Sequence, residues 1–358
     1  MTMTAAPPRP ATRRSDRLAP LAAAWLGLWG VLALLATITG AGYPFGANDP
    51  RGGATSLLRL IPVDVAPPLF AVLLLGAAVA ALAMSRPAAR PARPLRALLA
   101  GYAGTVAVVL TVVVPDAQVL ALLGYAPMLI IGAPFGWPPV DYAEVFTWAL
   151  AVRVAALAGG LLLAGAVLVW WRRTGDACLA CGRGDDERGW TSPAAAARWG
   201  RWAAGIAALI PLVYASTRLA WAAGIGLGLS DDTLTELQDS GAVWAGLGLG
   251  AFATVGAVLT LGLVQRWGER FPRWVPGLGG RPVPVRLAVI PASLVTVVVT
   301  AATVGLLASP QFWALGGDVF SAATAPMLLW PVWGPALGLA TYAYHLRRRG
   351  ACRRCGRG

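Results

Sequence analysis

The sequence predicts an all-α, polytopic membrane protein of about eight transmembrane helices, arranged as two fused four-helix repeats. Three observations predict it. Apolar runs long enough to cross a bilayer recur from end to end, arginine is concentrated in every second connection between them, and a cysteine segment near the middle returns at the end of the sequence.

Apolar residues fill 57% of the 358 positions and charged residues 13%, against roughly 45–50% and about 25% in soluble domains. Such a chain cannot cover itself with polar surface, and the lipid bilayer is its expected partner. All 29 basic residues are arginine, and the formal charge is +13. A balance of that sign can mark nucleic-acid binding. Here, however, the arginines stand in short loops and tails between apolar runs, where the positive-inside bias places them, and no nucleic acid is expected. The Ala-, Gly- and Arg-rich, lysine-free composition reflects GC-rich coding and points to a bacterial inner membrane.

Residues 1–17 are rich in Pro and Arg and read as a disordered basic tail. The apolar stretch behind them is long and lacks a small-x-small cleavage site, so it reads as a retained first span rather than a signal peptide. Spans are expected near 19–41, 67–85, 97–115, 145–171, 200–223, 241–265, 285–308 and 320–346. Each is long enough to cross about 30 Å at about 1.5 Å per residue as a helix, which pairs its own backbone in lipid.

Orientation follows from the connections. Arg9, Arg13, Arg14 and Arg17 precede the first span, Arg86 to Arg96 separate the second and third, and Arg172 to Arg188 follow the fourth. Arg266 to Arg281 lie between the sixth and seventh, and the last span ends in Arg347, Arg348 and Arg349. The alternate connections carry acids, among them Asp64, Asp116, Asp141, Glu144 and Asp231. The arginine bias places both termini in the cytoplasm. Residues 117–135 are apolar but broken by Gly124, Pro127, Gly132 and Pro134. As a full crossing they would put the later arginine loops outside, so they read as a re-entrant or interfacial hairpin shielded by protein.

A repeat emerges when Ala177-Cys178-Leu179-Ala180-Cys181-Gly182-Arg183-Gly184 is set on Ala351-Cys352-Arg353-Arg354-Cys355-Gly356-Arg357-Gly358, an offset of 174 residues. The same offset places Val145-Phe146-Thr147 on Val319-Phe320-Ser321, Gly160 on Gly334, Arg173 on Arg347 and Glu144 on Asp318. The expected halves are 18–184 and 185–358, each ending in a Cys-x-x-Cys-Gly-Arg-Gly knuckle and related by an axis along the membrane normal. If the inner ends of the fourth and eighth spans lie near that axis, the four sulfurs converge.

Cys178, Cys181, Cys352 and Cys355 are the only cysteines. A structural zinc ion takes four tetrahedral ligands, and a two-residue spacer lets successive sulfurs face one ion while the glycine permits the tight turn. Nearby arginines are expected to lower the thiol pKa values and to offset the negative charge of a four-thiolate zinc site. Reduced unliganded thiols, a redox dithiol and an iron–sulfur cluster are the alternatives. The pattern resembles the paired knuckles of zinc ribbons over about fourteen residues, without the hairpin strands of a ribbon and with the knuckles far apart. The chain as a whole resembles the multi-pass inner-membrane proteins of GC-rich bacteria, a resemblance that implies no activity.

Arg153 and Arg218 fall inside spans, where charge is costly and often functional. They are candidates for an intramembrane polar site with Asp141 or Glu144 as partner. The bland alternative is a side chain that snorkels to the outer headgroups or makes a structural ion pair. His345 reads as an ordinary interfacial residue. No phosphate-binding loop, His-Glu-x-x-His motif or catalytic triad is visible, and acids are scarce inside the spans. The expected function is therefore that of a non-enzymatic membrane protein whose cytoplasmic four-cysteine zinc site joins the halves, for stability or for a protein partner. A transporter with an anion- or lipid-headgroup-binding cavity between the repeats is the alternative, and a membrane thiol oxidoreductase a third.

Overall fold

The computed structural model describes residues 16–41, 56–86, 91–136, 141–175, 177–179, 181–183, 189–352 and 355–356. The expected tail lies outside these as far as residue 15. Of the described residues 78% are helical, in twelve α-helices and shorter 3₁₀ and π turns, and they form no strand beyond one isolated bridge, Arg270 with Pro282. In order the helices are α1 (Leu18–Thr39), α2 (Ala66–Ser85), α3 (Arg93–Val108), α4 (Ala117–Gly132), α5 (Tyr142–Val145), α6 (Trp148–Thr174), α7 (Pro193–Ala222), α8 (Asp231–Asp239), α9 (Ala242–Gly262), α10 (Val285–Leu307), α11 (Pro310–Ala314) and α12 (Trp330–Arg348). A π-turn, Val109–Val113, extends α3.

Eight of the helical segments are long and apolar enough to cross a membrane. They match the expected spans with two differences. The last expected span, 320–346, forms only from Trp330, behind 3₁₀ turns at Gly316–Phe320 and Ala325–Leu329. Its 19 residues include Pro335, His345, Arg347 and Arg348, which lower its apolarity below that of its neighbours. Conversely, the stretch expected to be an irregular hairpin is a regular helix, α4, that continues through a 3₁₀ turn to Phe135 and keeps Pro127 inside it. Neighbouring groups can satisfy the carbonyl that proline frees, so proline is tolerated in apolar helices.

The path of the chain nonetheless keeps α4 from adding a net crossing. Arg96, at the start of α3, donates to the carbonyl of Trp171 at the end of α6, so the two helices run antiparallel. The chain between them therefore leaves and re-enters the bundle at the same end, the one remote from Arg96 and Trp171. Within it, Asp116 meets Arg153 in the first turns of α6, and the Tyr142 hydroxyl donates to the Leu129 carbonyl near the end of α4. Both ends of α4 are thus held near the start of α6.

The described parts of the arginine-rich connections gather at one end. Arg173 pairs with Asp16, joining the end of α6 to the start of α1. Arg347 pairs with Glu269 at 2.9 Å and also donates to the Leu263 carbonyl, while Arg348 donates to the Val283 carbonyl, joining the end of α12 to the end of α9 and the start of α10. Ala196 in the first turn of α7 packs on Ala343 and Leu346. In the two halves of the chain the long helices pair alike. The first (α1, α7) packs on the second (α2, α9) and on the fourth (α6, α12), and the third (α3, α10) packs on the fourth.

The packing inverts the habit of soluble proteins. Alanines 22, 23, 33, 77, 81, 204, 207 and 340 are buried, while Leu28, Leu35, Ile38, Val72, Ile130, Leu209 and Leu259 point outward. Small residues let helix backbones approach closely where lipid removes any hydrophobic gain from burying large ones. Gly160 and Gly334 show the same contact twice. A Cβ on Gly160 of α6 would lie 2.6 Å from Thr111 Cγ2, and one on Gly334 of α12 would lie 2.6 Å from Thr300 Oγ1. In each case the fourth helix presses its glycine on a threonine of the third helix whose hydroxyl bonds back to its own helix.

Candidate metal centre

The two knuckles hang from the ends of α6 and α12. Arg172 and Arg173 lie in the last turn of α6, and His345, Arg347 and Arg348 in that of α12. Positive side chains there face the negative end of the helix dipole. Beyond each helix the backbone makes the same turn. The Gly182 N–H donates to the Cys178 carbonyl at 2.7 Å, and the Gly356 N–H to the Cys352 carbonyl at 2.8 Å. Gly182 has φ +74° and Gly356 φ +72°, a left-handed conformation that side chains with a Cβ avoid. The Cys178 N–H closes the first knuckle on the Arg183 carbonyl at 2.9 Å.

These turns aim all four thiols at one point. The Sγ atoms of Cys178, Cys181, Cys352 and Cys355 lie within 4.8 Å of one another. The closest contacts join the halves: Cys178 to Cys352 at 3.9 Å and Cys181 to Cys355 at 3.7 Å. A tetrahedral ion with Zn–S near 2.3 Å sets its sulfurs about 3.8 Å apart. A disulfide needs about 2.05 Å, so the cysteines are free thiols spaced for a shared ion. A four-iron cluster, with each thiolate on a different iron atom, would hold them further apart.

Arg183 builds the frame. It is 6% exposed and donates to the carbonyls of Gly350 at 3.2 Å and Arg349 at 3.3 Å, tying the first knuckle to the stretch of chain that enters the second. Arg172 lies over Gly182, its Cζ 3.0 Å from where a Cβ would stand. Arg172 and Arg183 thus lie at the first knuckle, where their charge can offset part of the net negative charge of a four-thiolate zinc site. Their expected lowering of the thiol pKa values is not found at Cys181. Burial pushes its thiol up to about 11; a hydrogen bond with the Arg183 backbone opposes this, and smaller contributions from bonds shared with Cys178, Cys355 and Cys352 add to the rise. The guanidinium of Arg183 is engaged by backbone carbonyls, and the four thiols crowd one another.

The other candidates part company. Arg153, 1% exposed, forms an ion pair at 3.1 Å with Asp116, also 1% exposed. The second oxygen of Asp116 accepts from Gln118 N–H and caps α4. Asp141 instead caps the short α5 through Ala143 N–H, and Glu144 is exposed in that helix. Arg218 lies near the end of α7, flanked by Tyr214 and Trp221 with each ring centroid 4.2 Å from its Cζ. His345 is half-buried in α12 and is not one of the clustered ligands.

Sequence reasoning places Asp116 only among the acids of the outer connections and Arg183 only among the topological arginines. The one available signal for Asp116 is its position after Pro115 at a break between apolar runs. Arg183 gives none, since its partners are backbone carbonyls. No protein-family model, curated protein or solved structure matches this chain, so its functional reading rests on the geometry of the four sulfurs.

Proposed function

We propose that the chain is a non-enzymatic inner-membrane protein in which one structural zinc ion, held by Cys178, Cys181, Cys352 and Cys355 on the cytoplasmic side, joins two duplicated four-helix halves, 18–184 and 185–358. The observation that carries this reading is the convergence of all four sulfurs within 4.8 Å from knuckles 174 residues apart. The matching glycine turns, the like pairing of helices in the two halves and the glycine-on-threonine contacts support the duplication. Arg172 and Arg183 at the first knuckle, Arg347 and Arg348 at the end of α12, and the positive-inside bias support the cytoplasmic placement.

Zinc binding requires each thiol to lose its proton, and the ion's charge drives that loss where the protein alone opposes it. In this reading the ion closes the end of the bundle from which the arginine-rich connections emerge, and it presents a rigid basic surface to a cytoplasmic protein partner. Metal analysis of the protein, purified with its thiols kept reduced, tests it. One zinc per chain is expected, and a content well below that discards the site.

A further inference from the structure

Arg218 is 8% exposed and sits about one helical turn from the end of α7 that is remote from the knuckles. Tyr214 from the turn before and Trp221 from the turn after hold their rings beside its guanidinium. Gly250 of α9 approaches closely and closes the side of the site: a Cβ on that glycine would stand 3.0 Å from Arg218 Cβ. Tyr125 of α4, from the other half of the chain, lies within electrostatic reach of both Arg218 and Tyr214.

Aromatic faces compensate the charge of a buried guanidinium. They do nothing for its N–H groups, which lie in the guanidinium plane. Of the five donors, one bonds the Thr217 hydroxyl at 3.0 Å, and the rest find no acceptor among the described residues. Arg153 shows the alternative, a buried arginine given its own carboxylate. No carboxylate among the described residues lies within ion-pair distance of Arg218. A planar fork left open in a half-aromatic, low-dielectric setting matches two oxygens of a phosphate bidentately.

We propose that Arg218, with Tyr125 beside it, binds a phosphate oxyanion at the junction of the two halves, toward the leaflet opposite the zinc site. A phospholipid headgroup and free phosphate share this chemistry. The site stands on observations separate from the zinc centre, and its test does not depend on zinc.

The full chain in detergent is titrated in two arms, with inorganic phosphate and with micelles doped with phosphatidylglycerol against micelles doped with a phosphate-free galactolipid, bound lipid being read by native mass spectrometry. Wild type is expected to prefer phosphatidylglycerol over galactolipid if the source is a lipid, or to bind phosphate if it is free. Arg218→Gln is expected to weaken that binding about tenfold or more, with a monodisperse elution profile showing that the variant folds. Arg218→Lys keeps the charge without the planar fork and carries the comparison if the glutamine variant does not fold; an intermediate loss is expected. Wild type binding neither probe above the galactolipid control overturns the proposal, as does binding unchanged in both variants.

Discussion

At the knuckle end, the two halves of the chain meet through four thiols and the Arg183 guanidinium. At the opposite end they meet through apolar contacts of α4 with α9 and α10, and through Arg59 donating to the Ala308 carbonyl. In the proposed reading the first junction is conditional, since it depends on thiol state and on metal. The second depends only on packing and holds under any redox condition. A protein tied in both ways can lose one junction and keep the other, and experiments can take them apart.

The largest effect is expected at the conditional junction. Replacing Cys181 and Cys355 together by serine should reduce zinc from one per chain to near zero, because a tetrahedral site stripped of two thiolates no longer closes. Helical content by circular dichroism should be unchanged, since the helices do not depend on the ion; loss of helix along with zinc would break the distinction between the two ends.

Next comes the buried pair near the packed end. Arg153→Met leaves Asp116 buried without its partner and should cost about 3–5 kcal/mol in reversible unfolding in detergent. Adding Asp116→Leu should recover most of that loss, because a buried pair and an apolar pair of similar volume are close in stability. Zinc content should stay at the wild-type level throughout.

A smaller effect sharpens the duplication. Gly160→Val and Gly334→Val each push a side chain into a threonine of the neighbouring helix, at a cost of about 1–3 kcal/mol. Similar costs in the two halves are expected, and a loss at only one position would argue against their equivalence. Arg183→Ala removes two hydrogen bonds between the knuckles and should cost about 1–2 kcal/mol. The change should be read as faster hydrogen exchange confined to 177–183 and 349–356.

Last and smallest is the dependence on pH. In the metal-free, reduced protein the Cys181 thiol is raised from 9.0 to about 11. The stability linked to its proton is therefore complete below about 9 and is lost as pH rises through about 11. The zinc-loaded protein should show the opposite slope, binding metal less tightly as pH falls, because protons compete for the thiolates. Unfolding of the metal-free protein across pH reads the first trend and chelator titration of the loaded protein the second, and a zinc affinity that does not fall with pH would exclude thiolate ligation.

Much of this architecture is legible in the sequence. Composition and arginine spacing locate the long helices, and the repeated cysteine segment locates the four ligands. The last helix is shorter than expected because 320–346 is apolar on average, yet Gly316, Gly317 and Pro326 favour tight turns before Trp330. Residues 117–135 are more regular than expected because two glycines and two prolines would break a helix in water, whereas an apolar setting leaves the backbone no other partner than itself. The partner of Arg153 is not legible, because the choice among Asp116, Asp141 and Glu144 depends on how the chain bends after the π-turn at Val109–Val113. Nor is the role of Arg183. Its acceptors are main-chain carbonyls, which every residue carries.

Each knuckle supplies two donors to a centre that needs four. Neither segment can coordinate fully in isolation, so a loaded ion reports that both have docked, and in the right register. A fragment carrying one knuckle could complete the set only by finding a second copy of itself. The intact polypeptide carries both knuckles, so the proposed ion would be satisfied without a neighbour.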